Sequence, residues 1–108
     1  MMTSGNTDSL RVLTAQVAQV SDLYSQRFDI CRDEFWHLAK LTEELGELTA
    51  VILRQTGRGR AKDTTESELK RQLEDEMADL LAHVLLLARH RDIDLEAALE
   101  RKWLAHLR

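Results

Sequence analysis

Apolar residues recur every three or four positions along almost the whole chain, and this spacing is the strongest constraint on its fold. The sequence contains no proline and only four glycines, so little in it interrupts a helix or favours strand pairing. We therefore predict an all-α fold. The 108 residues, 44% of them apolar, allow one small domain with a modest core that association between copies would help to complete.

The first half of the chain predicts two helices. Residues 1–7 are mainly polar and predict a flexible tail, which leaves residues 8–108 as a single helical domain. Asp8 or Ser9 can cap the first helix, and Asp33 can cap a second helix that should end near Gly57. The apolar stripe of the first helix consists of Leu10, Leu13, Val17, Val20 and Tyr24. The apolar stripe of the second helix consists of Leu38, Leu41, Leu45, Leu48 and Ile52. We expect the stripe of the second helix to face the core.

The second half predicts a buried third helix and a shorter fourth one. Residues 56–64 hold two glycines and three basic residues, which is typical of a loop. Thr65, with a glutamate three residues later, has the spacing of a capping box. From its middle to about His90 the third helix is apolar around most of its circumference, so it should be central and buried. Asp94 can cap the last helix, whose apolar residues continue to Leu107.

Charge and composition argue against several classes of function. The formal net charge is −4, and basic residues cluster only locally, so a nucleic-acid polymer is not the expected ligand. The longest apolar run, Val84 to Ala88, is far shorter than the roughly 20 residues of a membrane helix. A single cysteine, Cys31, fits a reducing compartment. Since no signal peptide is recognisable either, we expect a cytoplasmic protein.

Two of the predicted helices carry acidic residues at helical spacing. At about 100° per residue, Glu43, Glu44 and Glu47 share one sector of the second helix, away from its leucine stripe. Glu76 and Asp79 are neighbours on one face of the third helix. If the two helices pack antiparallel, five carboxylates face one another across a groove and need a divalent cation to offset their repulsion. A site made of oxygen ligands favours Mg²⁺.

The same residues also allow other interpretations. The glutamates of the second helix can form a solvated charged face in which Lys40 pairs with Glu43 and Glu44. A di-iron bundle would need Glu-x-x-His on two helices, and Glu34 with His37 supplies this spacing only once. No cluster of cysteines and histidines indicates zinc.

The acidic residues form a recognisable pair of motifs. Glu-Glu-x-x-Glu at residues 43–47 is followed, after 28 residues, by Glu-x-x-Asp at residues 76–79. This pattern resembles the MazG-like all-α nucleoside triphosphate pyrophosphohydrolases. The resemblance spans roughly Phe35 to Trp103 and includes the segments LTEELGELTAVILRQTGRGR and EDEMADLLAHVLLLARHRDIDLEAALERKW. It implies Mg²⁺-dependent cleavage between the α and β phosphates of a nucleotide, with Mn²⁺ as a substitute ion.

The resemblance also implies roles for individual residues. Carried over by position, the metal ligands are Glu43, Glu44, Glu47, Glu76 and Asp79. The first three are also the catalytic candidates, since one glutamate must orient or deprotonate the attacking water. A homodimer or homotetramer is implied, with the nucleotide near a subunit interface, and removal of non-standard or surplus nucleotides is the implied biological role.

Several other residues are candidates for contact with a nucleotide. These are Trp36, Lys40, Arg58, Arg60 and Lys102. An indole can stack on a base or simply pack in the core, and each cation can contact phosphate or remain an ordinary surface charge. His83, one turn after Asp79, can bond that carboxylate or be a core histidine. A non-catalytic module that binds a nucleotide or a protein in the same groove is the alternative function.

Overall fold

The computed structural model describes residues 9–58 and 64–108, and all the regular structure in these ranges is helical. Its helices are α1 (Ser9–Phe28), α2 (Glu34–Gln55), α3 (Glu66–His90) and α4 (Leu95–Lys102), and a short 3-10 turn follows at Leu104–Leu107. The predicted all-α fold is confirmed. No helix in the described part of the chain is long and apolar enough to span a membrane. The predicted tail, residues 1–7, lies outside the described residues.

Three helices begin at the capping residues that the sequence indicates. The side chains of Asp33, Thr65 and Asp94 each accept a hydrogen bond from the backbone N–H three residues later, at 2.8, 3.1 and 3.1 Å. Each bond satisfies a donor that has no partner within the first turn of its helix. The starts of α2, α3 and α4 are therefore predicted correctly.

The last helix is shorter than predicted. We expected it to include Leu107, but α4 ends at Lys102 and the chain continues as the 3-10 turn. Trp103 and Leu107 are largely exposed, at 67% and 84%. Because tertiary packing supplies most of the stability of a short helix, α4 gains nothing from continuing through exposed apolar residues.

Helix α3 lies at the centre of the molecule, as predicted, with α2 on one side and α1 on another. The buried apolar residues are Ala18, Val51, Leu69, Leu85, Leu86 and Ala88. The expectation of burial fails for one sector of α3, where Met77, Leu81 and Val84 are exposed. Helix α1 packs through the small side chain of Ala18, while most of its predicted apolar stripe faces outward.

Helices α2 and α3 pack antiparallel. At one end, Arg54 Nη2 of α2 donates to Gln72 Oε1 of α3 at 3.0 Å. At the other end, Glu34 at the start of α2 pairs with Arg91, which caps the end of α3. We call the contact between α2 and α3 the seam. A polar pair therefore lies at each of its two ends.

The side of α2 that faces α3 differs from the prediction. Leu38, Leu45 and Ile52 were expected in the core, yet they are 56%, 53% and 44% exposed. Glu44 and His37 face inward instead, at 7% and 4% exposure. The period of a helix defines its two sectors, but it does not decide which sector meets the neighbouring helix. Glu44 therefore lies in the seam, and three of the five residues of the leucine stripe lie outside it.

Three outward-facing apolar residues of α2 and three of α3 belong to one surface. On α2, the three exposed residues Leu38, Leu45 and Ile52 each come directly after a residue that faces the seam. On α3, Met77 follows Glu76 and Val84 follows His83. Each step of one residue along a helix rotates the side chain by about 100°. In an antiparallel pair, this rotation turns the apolar residues of α2 and those of α3 toward the same side of the pair. We call this surface the apolar face; its residues are Leu38, Leu45, Ile52, Met77, Leu81 and Val84.

Candidate metal centre

Four carboxylates converge in the seam. Glu44 and Glu47 come from α2, and Glu76 and Asp79 come from α3. One oxygen from each lies within 4.8 Å of the others. The spacing of three residues on each helix places both carboxylates on one face, and the antiparallel packing makes the two faces meet. The structure thus brings together four of the five predicted carboxylates, here called the carboxylate cluster.

Glu43 is the fifth predicted ligand, and it lies outside this cluster. Its Oε1 accepts a hydrogen bond from Lys40 Nζ at 3.1 Å, and its side chain is 54% exposed. Glu43 precedes Glu44 by one residue, which turns its side chain about 100° away from the seam. The structure places Glu43 and Lys40 at the rim of the site, as an ion pair.

Two oxygens of the cluster are buried without a partner. Among the described residues, neither Glu44 Oε2 nor Glu76 Oε2 has a hydrogen-bond partner. Buried polar atoms are nearly always paired, because losing contact with water without compensation is costly. A set of carboxylate oxygens with unpaired lone pairs fits a hard divalent cation, a class that includes Mg²⁺ and Mn²⁺.

The electrostatics of the cluster favour neutralisation. Burial, followed by the negative charges of Glu47 and Asp79, raises the pKa of Glu44 to about 7. Burial also raises the pKa of Glu76, with a hydrogen bond to Glu47 and the charge of Glu47 as the next causes. Close carboxylates in a poorly solvated site cannot all ionise cheaply. The cluster must therefore bind either protons or a cation.

His83 of α3 has Glu44 as its nearest carboxylate partner, whereas the sequence suggested a bond to Asp79. Its Nε2 is 4.0 Å from Glu44 Oε1, and its buried Nδ1 has no hydrogen-bond partner in the described ranges. The imidazole meets the Trp36 ring edge-on, with 5.9 Å between centroids. Burial is the main cause that lowers the pKa of His83, and the charge of Lys40 is the next. Among the described residues, His83 therefore lacks the Nδ1 partner that a satisfied core histidine would have.

Trp36 links this site to a second histidine that the sequence analysis did not single out as a site residue. His37 is buried, meets Trp36 edge-on at 5.0 Å, and packs on His90 with 4.7 Å between ring centroids. A spacing of seven residues was the available signal. This spacing of seven separates His37, Glu44 and Val51 on α2. On α3 it separates Leu69, Glu76, His83 and His90. Such a repeat marks the side of a helix that packs against another helix.

The remaining candidates for nucleotide contact are more distant or undescribed. Lys40 Nζ is 6.0 Å from the centre of the Trp36 ring, so both lie at the rim beside Glu43. Arg58 is exposed just beyond the end of α2, and Arg60 lies outside the described residues. Lys102 ends α4, which packs against α1. The structure does not bring Lys102 to the carboxylate cluster of its own chain.

Most of the described chain matches a known protein family. A protein-family model described as MazG nucleotide pyrophosphohydrolase domain matches residues 36–103, a range that includes all four residues of the carboxylate cluster. No match was found among curated proteins or among solved structures.

Proposed function

Because this chain belongs to the MazG nucleotide pyrophosphohydrolase family, we propose that it hydrolyses a nucleoside triphosphate to the monophosphate and pyrophosphate in a Mg²⁺-dependent reaction. The convergence of four carboxylates within 4.8 Å, two of them with buried unpaired oxygens, is the observation that carries this proposal. A charged surface patch would be solvated throughout, whereas Glu44 and Glu76 direct a buried oxygen into the seam and Glu47 and Asp79 complete the cluster from its exposed side.

In this proposal Glu44, Glu47, Glu76 and Asp79 hold the cation. A bound Mg²⁺ offsets phosphate charge and lowers the pKa of a bound water, while Mn²⁺ can substitute for it. Glu44 and Glu47 are the nearest catalytic candidates for orienting that water, since Glu43 is turned away and paired with Lys40. The pKa of Glu44 is raised to about 7 in the metal-free protein, and a bound cation would favour its ionised form.

The rim of the cluster offers contacts for the rest of a nucleotide. Lys40 can exchange its bond to Glu43 for a phosphate oxygen, and Trp36 presents a ring for stacking with a base. Arg58 and Arg60 lie in the sequence between α2 and α3 and are proposed to approach the phosphates. Removal of non-standard or surplus nucleotides in the cytoplasm is the proposed biological role.

Assembly of two or more copies is part of the proposal. The apolar face extends along α2 from Leu38 to Ile52, roughly 21 Å at 1.5 Å per residue. Exposed apolar patches of this kind mark protein interfaces. A second α2–α3 pair packed on the apolar face would make a four-helix arrangement, as a homodimer or within a homotetramer. Another copy can also supply Lys102, which its own chain holds away from the cluster.

Pyrophosphate release tests this function. Purified protein is screened over standard, deaminated, oxidised and methylated nucleoside triphosphates with Mg²⁺, with Mn²⁺ and with chelator. We expect one nucleotide class to yield monophosphate and pyrophosphate only when a divalent ion is present. Glu47→Gln should reduce the rate by at least about 100-fold, because a neutral amide cannot replace an anionic ligand.

The matched control is Glu74→Gln, which removes an exposed α3 carboxylate outside the cluster. It should keep the wild-type rate. Activity that survives Glu47→Gln undiminished would show that the site is misassigned. Nucleotide binding without any pyrophosphate release would favour the non-catalytic alternative.

A further inference from the structure

We infer that His83 is a positioning residue for Glu44, whose carboxylate it orients by donating a hydrogen bond from Nε2–H to Oε1. This inference deepens the proposed function, since it concerns a ligand of the proposed metal site. It rests on the contact between two side chains that are only 17% and 10% exposed.

The surroundings of Glu44 leave few other donors. Its close neighbours in the carboxylate cluster are Glu47, Glu76 and Asp79. Glu44 and Glu47 share a hydrogen bond only while one of them is protonated, and ionised neighbours accept hydrogen bonds and donate none. Among the described residues, His83 is the one basic side chain within 4.0 Å of a Glu44 oxygen. Lys40, one turn before Glu44, bonds Glu43 instead. A distance of 4.0 Å exceeds a hydrogen bond by about 1 Å, which a small rotation about the side-chain bonds can close.

The imidazole itself is held in place. Trp36 packs edge-on against it at 5.9 Å, and Trp36 is fixed in turn by its edge-on contact with the buried His37. Of the two ring nitrogens, Nε2 faces the carboxylate, while Nδ1 is buried and has no partner in the described part of the chain. A donor directed at a carboxylate makes a stronger bond than one directed at a neutral acceptor, so the proton belongs on Nε2.

The consequence concerns the direction of the ligand. A carboxylate held at Oε1 cannot rotate freely, and its second oxygen, the buried Oε2, then has a fixed direction. Groups that orient a metal ligand in this way typically change metal affinity by about 10- to 100-fold when they are removed.

A double-mutant cycle in Mn²⁺ affinity tests the inference without requiring turnover. Mn²⁺ binding is followed by electron paramagnetic resonance in wild type, His83→Leu, Glu44→Gln and the double variant. We expect His83→Leu to weaken binding about 10-fold or more in the wild-type background and less than about twofold in the Glu44→Gln background. His83→Gln, whose amide can donate from nearly the position of Nε2, should stay within about threefold of wild type.

Equal losses in both backgrounds, or no loss in either, would overturn the inference. Thermal melting of each variant shows whether it is folded, and His83→Gln provides the second variant if His83→Leu does not fold. A wild type that binds Mn²⁺ yet releases no pyrophosphate would contradict the proposed function alone, because the cycle still decides the role of His83. A wild type that binds no Mn²⁺ would overturn both.

The tautomer of His83 provides a readout that needs neither metal nor substrate. Long-range ¹H–¹⁵N correlation spectra of the metal-free protein, at about pH 8 where imidazole is neutral, should show His83 protonated at Nε2. Glu44→Gln should shift the His83 signals and leave those of His106, which is exposed in the 3-10 turn, unchanged. A His83 proton on Nδ1 would contradict the inference.

Discussion

Glu44 carries the main electrostatic conflict of the molecule. It is 7% exposed, lies beside three other carboxylates, and has a buried oxygen without a partner among the described residues. The sequence identified the acidic residues through their spacing and motif. It did not separate Glu43 from Glu44, because that distinction depends on which side of α2 meets α3. It also did not reveal that His83 lies against Glu44, since this contact joins two helices at 4.0 Å.

Stability should respond to pH and Mg²⁺ through Glu44. Its pKa is raised from 4.5 to about 7 in the fold, so the folded metal-free state holds a proton that the unfolded state has lost. This group's stabilising contribution is fully present below its unfolded pKa and is lost as pH rises through about 7. Bound Mg²⁺ offsets the ionised carboxylate, and protons compete with it at low pH. We expect Mg²⁺ to raise the melting temperature more at about pH 8 than at about pH 6.

Differential scanning calorimetry at both pH values, with Mg²⁺ or chelator, measures this difference. Comparing each pH with and without Mg²⁺ cancels the titration of groups remote from the site, including His37, whose pKa is lowered mainly by burial. Glu44→Gln should reduce the difference in Mg²⁺ response between the two pH values, and the raised pKa of Glu76 accounts for the part that remains. An equal response in wild type would contradict the role given to Glu44.

Helix ends and helix faces differed in how well the sequence predicted them. The starts of α2, α3 and α4 follow from Asp33, Thr65 and Asp94, because a cap is a local hydrogen bond three residues long. The inward face of α2 was predicted wrongly for Leu38, Leu45 and Ile52, since the most apolar sector was assumed to face the core of the same chain. That assumption fails here because the polar sector of α2 meets α3 and builds the site; in the proposed assembly the apolar sector packs on another copy.

The apolar face should control assembly. Leu45→Glu places a charge in the middle of the apolar face, where a packed partner would have to desolvate it. We expect this variant to have about half the wild-type molar mass or less by size exclusion with light scattering. Ala39→Glu adds the same charge to an exposed position of α2 outside the apolar face and should leave the mass unchanged. A monomeric wild type, or a Leu45→Glu variant of unchanged mass, would count against the proposed assembly.

At the scale of the whole molecule, one central helix organises both surfaces. Helix α3 supplies half of the carboxylate cluster to the seam with α2, half of the apolar face, and the contact surface for α1. The four-helix content and the antiparallel α2–α3 pair could be predicted from spacing and from the connection between the helices. The position of α4 against α1, which keeps Lys102 away from the cluster, could not, because it depends on long-range contacts such as Arg11 with Asp94.

The central claim is that the four carboxylates of the α2–α3 seam bind the divalent ion. Calorimetric titration of Mn²⁺ into wild type, Glu76→Gln and Glu74→Gln tests it most directly. Both variants remove one negative charge from α3, but only Glu76 lies in the carboxylate cluster. We predict at least about 100-fold weaker binding for Glu76→Gln and a change below about twofold for Glu74→Gln. Equal effects of the two substitutions, or wild-type affinity in Glu76→Gln, would contradict the claim.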